Sequence, residues 1–303
     1  MSSPPTVAIT GASGLVGKAL AEDFASSGWQ VKRLVRGGVR HAESEIAWDP
    51  AGGTIDQAAL EGLDAVVHLA GENIAEGRWT KEKKRRIVES RTGGTRLLAE
   101  ALARCEAKPR VLVSASAIGF YGNRGDEELT EESPAGQGFL AETCVAWESA
   151  NEPAWQAGIR VVQVRVGLVL DLSGGLLGKV LPIFKMGGGG VLGSGAQYMS
   201  WIDLADLVRI FRRAVDDDSL NGAINGVAPN PVTNREFTKT LGRVLSRPTV
   251  APAPAFGLRL AFGEMADEML LAGARVLPTR LQAAGFEFQS TDLEPTLRRL
   301  LDR

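Results

Sequence analysis

Apolar residues recur along the chain in two alternating textures. Short runs rich in β-branched residues, Thr6 to Thr10, Val31 to Val35 and Ala65 to Ala70, read as strands, with Glu45 to Trp48 a short further one. Between them apolar positions return at helical spacing, first from Leu15 to Phe24 through Val16, Ala19 and Leu20, then over Lys81 to Cys105 and Leu140 to Ala157. Arg110 to Ser114 and Ile159 to Val169 continue the strand series. This alternation predicts βαβ units with right-handed crossovers, hence an α/β fold built on a Rossmann-type, doubly wound parallel sheet.

After Gly174 the texture changes to glycine-rich loops, a helix over Leu204 to Val215 and a short strand Ala223 to Val227. A Pro-Ala segment, Pro248 to Pro254, reads as a linker. Beyond it a methionine-rich apolar stretch, Phe256 to Val276, predicts a helix stopped at Pro278, followed by Phe286 to Phe288 and a terminal helix. The expected division is a Rossmann domain over residues 1–247, including a substrate loop at about 174–201, and a small, mainly helical C-terminal cap over 248–303. The methionine and leucine stripe of that cap reads as core packing.

Composition narrows the function classes. Lys and Arg number 34 against 36 Asp and Glu, so no global field draws the chain to nucleic acid or an anionic membrane. The two cysteines, Cys105 and Cys144, lack metal or disulfide spacing. With no basic leader and no apolar run of about 18 residues, a cytoplasmic protein is expected. The basic cluster Lys81 to Arg86, set among Glu82 and Glu89, reads as a solvated helix face.

Thr10-Gly11-Ala12-Ser13-Gly14-Leu15-Val16-Gly17 lies between the first strand and the first helix. In that place Gly11 permits a tight turn, Gly14 lets the main chain approach phosphate, and Gly17 lets the helix pack closely on the sheet. Free N–H groups at the helix start, from Ser13 through Val16, then suit a pyrophosphate. About 20 residues on, where a carboxylate would hold the ribose of NAD, stand Arg33 and Arg36, with no acid between Gln30 and Arg40. Guanidinium groups there fit a 2′-phosphate, so NADP(H) is the expected cofactor.

The sequence resembles the extended short-chain dehydrogenase/reductase superfamily, and more closely its atypical branch of nucleoside-diphosphate-sugar epimerase-like proteins of unproven activity. The resemblance covers nearly the whole chain. It rests on Thr10 to Gly17, His68-Leu69-Ala70-Gly71-Glu72-Asn73, Ser114-Ala115-Ser116 with Tyr121-Gly122, Leu129 to Pro134, and Ser200-Trp201-Ile202-Asp203. It implies cofactor contacts at Leu69, Ala70, Gly71, Arg91, Ser114 and Val166. It implies substrate contacts at Glu72 and Asn73, and at Gln197, Tyr198 and Trp201 of a glycine-rich, mobile lid over 185–201.

The family's catalytic set transfers only in part. Ser116 matches its serine, but the tyrosine position falls near Leu140, the lysine four residues later is Cys144, and an upstream asparagine appears as Arg91. Leucine has no proton to transfer and a neutral thiol carries no charge. Tyr121, one of two tyrosines, is the best remaining proton source, and His68, within an apolar strand, reads as a core histidine. Two functions stay open: an NADP(H)-dependent oxidoreductase or epimerase-like enzyme acting on a carbonyl or alcohol carbon of a small molecule, a nucleotide sugar among the candidates, or a non-catalytic NADP(H)-binding sensor or scaffold. The expected partner is that small molecule, and a homodimer is an assembly the chain could form.

Overall fold

The computed structural model describes residues 3–303. The first half lays down β1 (Thr6–Thr10), α1 (Leu15–Ser26), β2 (Gln30–Val35), β3 (Glu45–Asp49), β4 (Thr54–Ile55), β5 (Ala65–His68), α2 (Lys81–Arg104) and β6 (Val111–Ala117). Then follow β7 (Glu128–Leu129), α3 (Phe139–Ser149), α4 (Glu152–Gln156), β8 (Arg160–Val166), β9 (Leu168–Leu170) and α5 (Gly175–Lys185). Next come β10 (Tyr198–Met199), β11 (Trp201–Asp203), α6 (Leu204–Asp216), β12 (Gly222–Gly226), β13 (Val232–Thr233) and α7 (Asn234–Leu245). The C-terminal region adds α8 (Ala255–Phe262), β14 (Arg275–Val276), α9 (Thr279–Ala283) and α10 (Leu293–Leu301).

The main sheet runs β12-β8-β6-β5-β1-β2-β3-β4 and is parallel except for the β3–β4 pair. Because the chain winds outward from β1 through β2 and β3 and then returns to β5, the strand order reverses between β1 and β5. Ligands of such sheets bind beyond the strand C-termini at that reversal. Strand alternation feeds two cores. Val7, Ile9, Val67 and Val113 face the layer of α1, α5, α6 and α7, while Ala8, Val66 and Leu112 face Leu98, Leu102 and Ala154 of α2 and α4.

Three sequence-predicted elements are divided. The helix expected over 140–157 breaks at Asn151, with Pro153 opening the short α4. The strand expected over 159–169 breaks at Gly167, where a Cβ would fall 2.5 Å from the Ser200 carbonyl oxygen. Its second half, β9, leaves the main sheet to pair with β11. The methionine-rich stretch is not one helix: α8 ends at Gly263, a π-turn spans Ala266–Leu270, and β14 follows.

The C-terminal region is mainly helical, as expected, and it packs into the same core through Leu281, Leu293 and Leu297. β14 pairs in parallel with β7, and Arg280 donates to the Asn221 and Ala223 carbonyl oxygens.

Candidate functional site

Two hollows meet at the C-terminal ends of the strands. The larger is a polar groove of about 1210 Å³ over the glycine turn, and beside it lies an apolar cavity of about 280 Å³.

The groove begins where β1 ends. Gly11 turns with φ +65°, and the Gly14 N–H donates to its carbonyl oxygen at 2.9 Å. Gly17 is buried under this turn, with the position of a Cβ only 2.3 Å from the Gly11 oxygen. α1 starts without a side-chain cap and without an acid in its first turn, so its leading N–H groups stay open to an anion. Gly11, Ser13, Gly14, Leu69, Ala70 and Gly71 all line the groove, with Arg33 and Arg36 at its β2 edge. Leu15 and Val16, expected as cofactor contacts, do not line the groove. The Val16 side chain packs on the core and that of Leu15 lies over Gly174.

A buried polar chain fixes the reversal point. The Thr10 hydroxyl accepts from the Leu69 and Ala70 N–H groups at 2.9 and 3.1 Å and lies 2.8 Å from His68 Nδ1. His68 Nε2 lies 2.9 Å from the Thr95 hydroxyl, which also accepts from Trp147 Nε1 at 3.0 Å. With both Thr10 acceptor sites filled, its O–H donates to Nδ1, which assigns the Nε2–H tautomer. Burial holds His68 down to about 4, so the ring is neutral at physiological pH. His68 is the core histidine that the sequence suggested.

The cavity is walled by Ile74, Ile87, Leu140, Leu168, Met199 and Met269 among others, and Val166 is also in its lining. Gln197 and Tyr198 line it as expected. Arg91 stands between the two hollows. Its guanidinium lies 5.0 Å over the Trp147 ring and donates to the Glu72 and Ile87 carbonyl oxygens, and a Cβ on Gly71 would be 3.4 Å from its Cζ. Cys144 also faces the cavity, its thiol pushed up to about 12, first by burial and then by Glu148.

Several expected site residues are placed elsewhere. Ser116 is buried and donates to Glu148 Oε1 at 2.6 Å, and Glu148 ion-pairs with Arg165 at 2.8 Å. Tyr121 is fully buried, donates to Asn225 Oδ1 at 2.7 Å and accepts from Arg165 at 3.0 Å, and burial raises its pKa. Neither Ser116 nor Tyr121 lines the cavity, so neither is positioned to exchange a proton with a substrate there. Ser114 is likewise buried within β6 and reaches neither hollow.

Trp201 is core, its indole N–H bound to the Asn230 carbonyl oxygen. Glu72 and Asn73 edge the groove rather than the cavity. Glu72 is occupied by Lys83 at 2.7 Å, which lowers its pKa, and Asn73 by Glu76.

Of the substrate loop expected over 174–201, α5 takes Gly175–Lys185, so the lid expected over 185–201 starts at the helix end, and two of its glycines sit in close contacts, a Cβ at Gly189 falling 2.7 Å from the Phe184 ring. A Cβ at Gly190 would lie 1.9 Å from the Ala251 carbonyl oxygen, and Leu192 bridges to Ala253. The basic face of α2 pairs with Glu82, Glu89, Glu72 and Glu264, and it is not solvated throughout as expected, since Lys83 is buried on Glu72 while Arg85 and Arg86 are exposed.

Sequence reasoning missed Lys18, Trp48 and Pro50 of the groove and Glu268 of the cavity. Lys18, one helical turn after Gly14, and Trp48, at a strand end, were accessible from position alone. Glu268 was not, because its carboxylate reaches the Leu140 N–H from 128 residues away.

Residues 7–225 match the model of the NAD dependent epimerase/dehydratase family, and residues 253–300 match a domain of unknown function. The chain is 45% identical over 291 residues to epimerase family protein Mb2239 of Mycobacterium bovis, covering 96% of both chains. A crystal structure of human epimerase family protein SDR39U1 (isoform 2) with NADPH superposes with a TM-score of 0.89 at 32% identity, over 98% of this chain and 99% of that one. Thermus thermophilus UDP-glucose 4-epimerase, in complex with NAD, shares the fold at a TM-score of 0.73 and 21% identity, with 98% of each chain covered. Among the described residues no helix is long and apolar enough to cross a membrane. With its strand reversal, its glycine turn and more than half of its length matched, the chain belongs to the NAD dependent epimerase/dehydratase family.

Proposed function

We propose that the protein is an NADP(H)-dependent oxidoreductase or epimerase-like enzyme acting on a carbonyl or alcohol carbon. The observation that carries this reading is the pair of arginines at the groove's β2 edge. Arg33 and Arg36 line it together with Lys18, and of the carboxylates that line it too, Glu22, Glu45 and Glu72, Glu45 is bonded to the Arg40 and His41 N–H groups and Glu72 to Lys83, which leaves the two guanidinium groups for a ribose phosphate. The human relative at 32% identity was solved with NADPH, which supports the same assignment. The bound nicotinamide supplies hydride chemistry.

The chain's own residues have the remaining tasks. Gly11 to Gly14 and the open start of α1 hold the pyrophosphate, and the Thr10–His68–Thr95 chain keeps Leu69 and Ala70 against that turn. Val166 and the apolar wall exclude water from the reacting carbon. Cys144, with its thiol protonated, is the group in the wall at the family's lysine position.

The non-catalytic reading, a sensor or scaffold, draws support from one observation: Leu140 and Cys144 bring neither tyrosine nor lysine to the cavity. Fluorescence titration with NADPH and NADH, followed by NADPH consumption against a panel of carbonyl compounds, tests both readings. Tighter NADPH binding with turnover is expected. Preference for NADH sinks the cofactor assignment, and tight NADPH binding without turnover on any carbonyl leaves the sensor.

A further inference from the structure

Most polar groups on the cavity wall are already used within the protein. Gln197 Nε2 donates to the Leu192 and Leu270 carbonyl oxygens at 3.1 and 2.9 Å. Thr143 donates to Phe139 O at 2.6 Å, Ser200 to Ala274 O at 2.7 Å, and Asn234 Oδ1 accepts from the Leu192 N–H at 2.9 Å. A sugar ring brings a hydroxyl on nearly every carbon and would find few partners here. Each polar group left unsatisfied after burial costs about 1–3 kcal/mol. The wall therefore selects against nucleotide sugars and for an apolar body.

Among the described wall residues the Tyr198 hydroxyl has no side-chain partner, and Arg91 is the cation left with free donors. Only its Nη1 is hydrogen-bonded, to the Glu72 and Ile87 carbonyl oxygens at 3.1 and 3.2 Å. Among the described residues no carboxylate pairs with it. The carboxylate of Glu72 is turned to Lys83 at 2.7 Å, and that of Glu268 accepts from the Leu140 N–H at 3.2 Å. Leu140 and Trp147, the aromatic partner of Arg91, are seven residues apart on α3, or about 10 Å at 1.5 Å rise per residue. Sheltered charges are normally paired, because burying one alone is costly. Burial already pulls the Arg91 pKa down, though a guanidinium stays protonated at neutral pH. One half of an ion pair is in place, with free N–H donors where groove and cavity meet.

We infer that the cavity binds a small, apolar carboxylic acid, its carboxylate held by Arg91 and its hydrocarbon part against Ile87, Leu140, Met199 and Met269. This deepens the reading above and rests on it only in taking the cavity as the substrate side of the cofactor groove. The same guanidinium chemistry could instead serve a phosphate of the cofactor, since Gly71 of the groove adjoins Arg91, and the test separates the two anions.

Isothermal titration of the full chain, with and without saturating NADPH, uses butanoate, hexanoate and octanoate, their primary alcohols, and UDP-glucose. At least one acid is expected to saturate and to bind roughly tenfold or more tightly than its alcohol, the worth of a charge-assisted contact. UDP-glucose should not displace it. Arg91→Met should erase the difference between acid and alcohol, and Arg91→Lys should restore part of it. Equal binding of acid and alcohol by the unmodified protein, no saturable acid binding, or displacement by UDP-glucose overturns the inference without needing any variant to fold. Loss of NADPH affinity in Arg91→Met with acid binding intact also overturns it, by assigning the cation to the cofactor. Acid binding without NADPH binding upholds the inference and removes the cofactor reading, whereas NADPH binding without acid binding does the reverse.

Discussion

Glu148 accepts a 2.6 Å hydrogen bond from Ser116 while both of its oxygens grip Arg165, at 2.8 and 2.9 Å. A serine that sequence places in a catalytic role is thereby the third member of a buried ion pair. Removing the carboxylate leaves Arg165, only 5% exposed at its side chain, without compensation. Glu148→Ala should lose about 3–5 kcal/mol of stability in urea denaturation, and Ser116→Ala about 1 kcal/mol. A Glu148→Ala protein as stable as the parent would show the pair to be solvated.

Tyr121 belongs to the same network, bonded to Arg165 and Asn225. Tyr121→Phe should cost about 1–2 kcal/mol and leave NADPH affinity unchanged. If a turnover assay instead showed kcat falling a hundredfold with stability intact, the hydroxyl would have to reach substrate after all.

Cofactor choice is assigned to two side chains in the groove, Arg33 and Arg36. Replacing both by alanine should weaken NADPH binding by roughly tenfold to a hundredfold, at 1.5–3 kcal/mol for hydrogen bonds to charged groups, and alter NADH binding little. Parallel losses for both dinucleotides would mean that the arginines act on the pyrophosphate or on folding.

The neutral His68 predicts a pH window. Its folded-state value is depressed to about 4 from the ordinary 6.5, so between those limits the unfolded chain binds the extra proton. Stability is then fully present above about pH 6.5 and declines as pH falls toward 4, by at most about 3 kcal/mol. His68→Gln should flatten that part of a stability profile. An unchanged slope would assign acid sensitivity to the carboxylates.

Both thiols are buried, and burial raises both pKa values, that of Cys144 to about 12. Native protein at pH 7.5 should show almost no reaction with a thiol reagent over minutes and two reactive groups once denatured. Rapid native labelling of Cys144, mapped by mass spectrometry, would show that the cavity opens far more widely.

The sheet, its strand order of use and the groove were legible in the sequence because each rests on local pattern: buried runs, helical spacing and a glycine turn at a strand end. The cavity was not, since it is assembled from residues far apart. Tyr121 shows why. Its position after β6 suggested a site residue, yet Asn225, 104 residues later, claims its hydroxyl. The glycines of 187–190 are a similar case, because only the packed structure reveals that Gly189 lies against the Phe184 ring and Gly190 against the Ala251 main chain. Leu140 and Cys144, read by counting, do face the cavity, since helical register carries over a short distance.

The threading of the C-terminal strand has a consequence for biosynthesis. Every residue lining the groove lies between Gly11 and Ser90, whereas the cavity needs residues up to Ala274, β7 awaits Arg275 and Val276, and the buried Glu131 awaits Thr279 and Arg280. A chain still on the ribosome can thus display a nearly finished nucleotide cradle beside a strand with no neighbour and a carboxylate with only the Asn225 N–H as donor. Vectorial synthesis makes that half-built intermediate the stage most exposed to misassembly, and the dinucleotide the earliest ligand able to steady it.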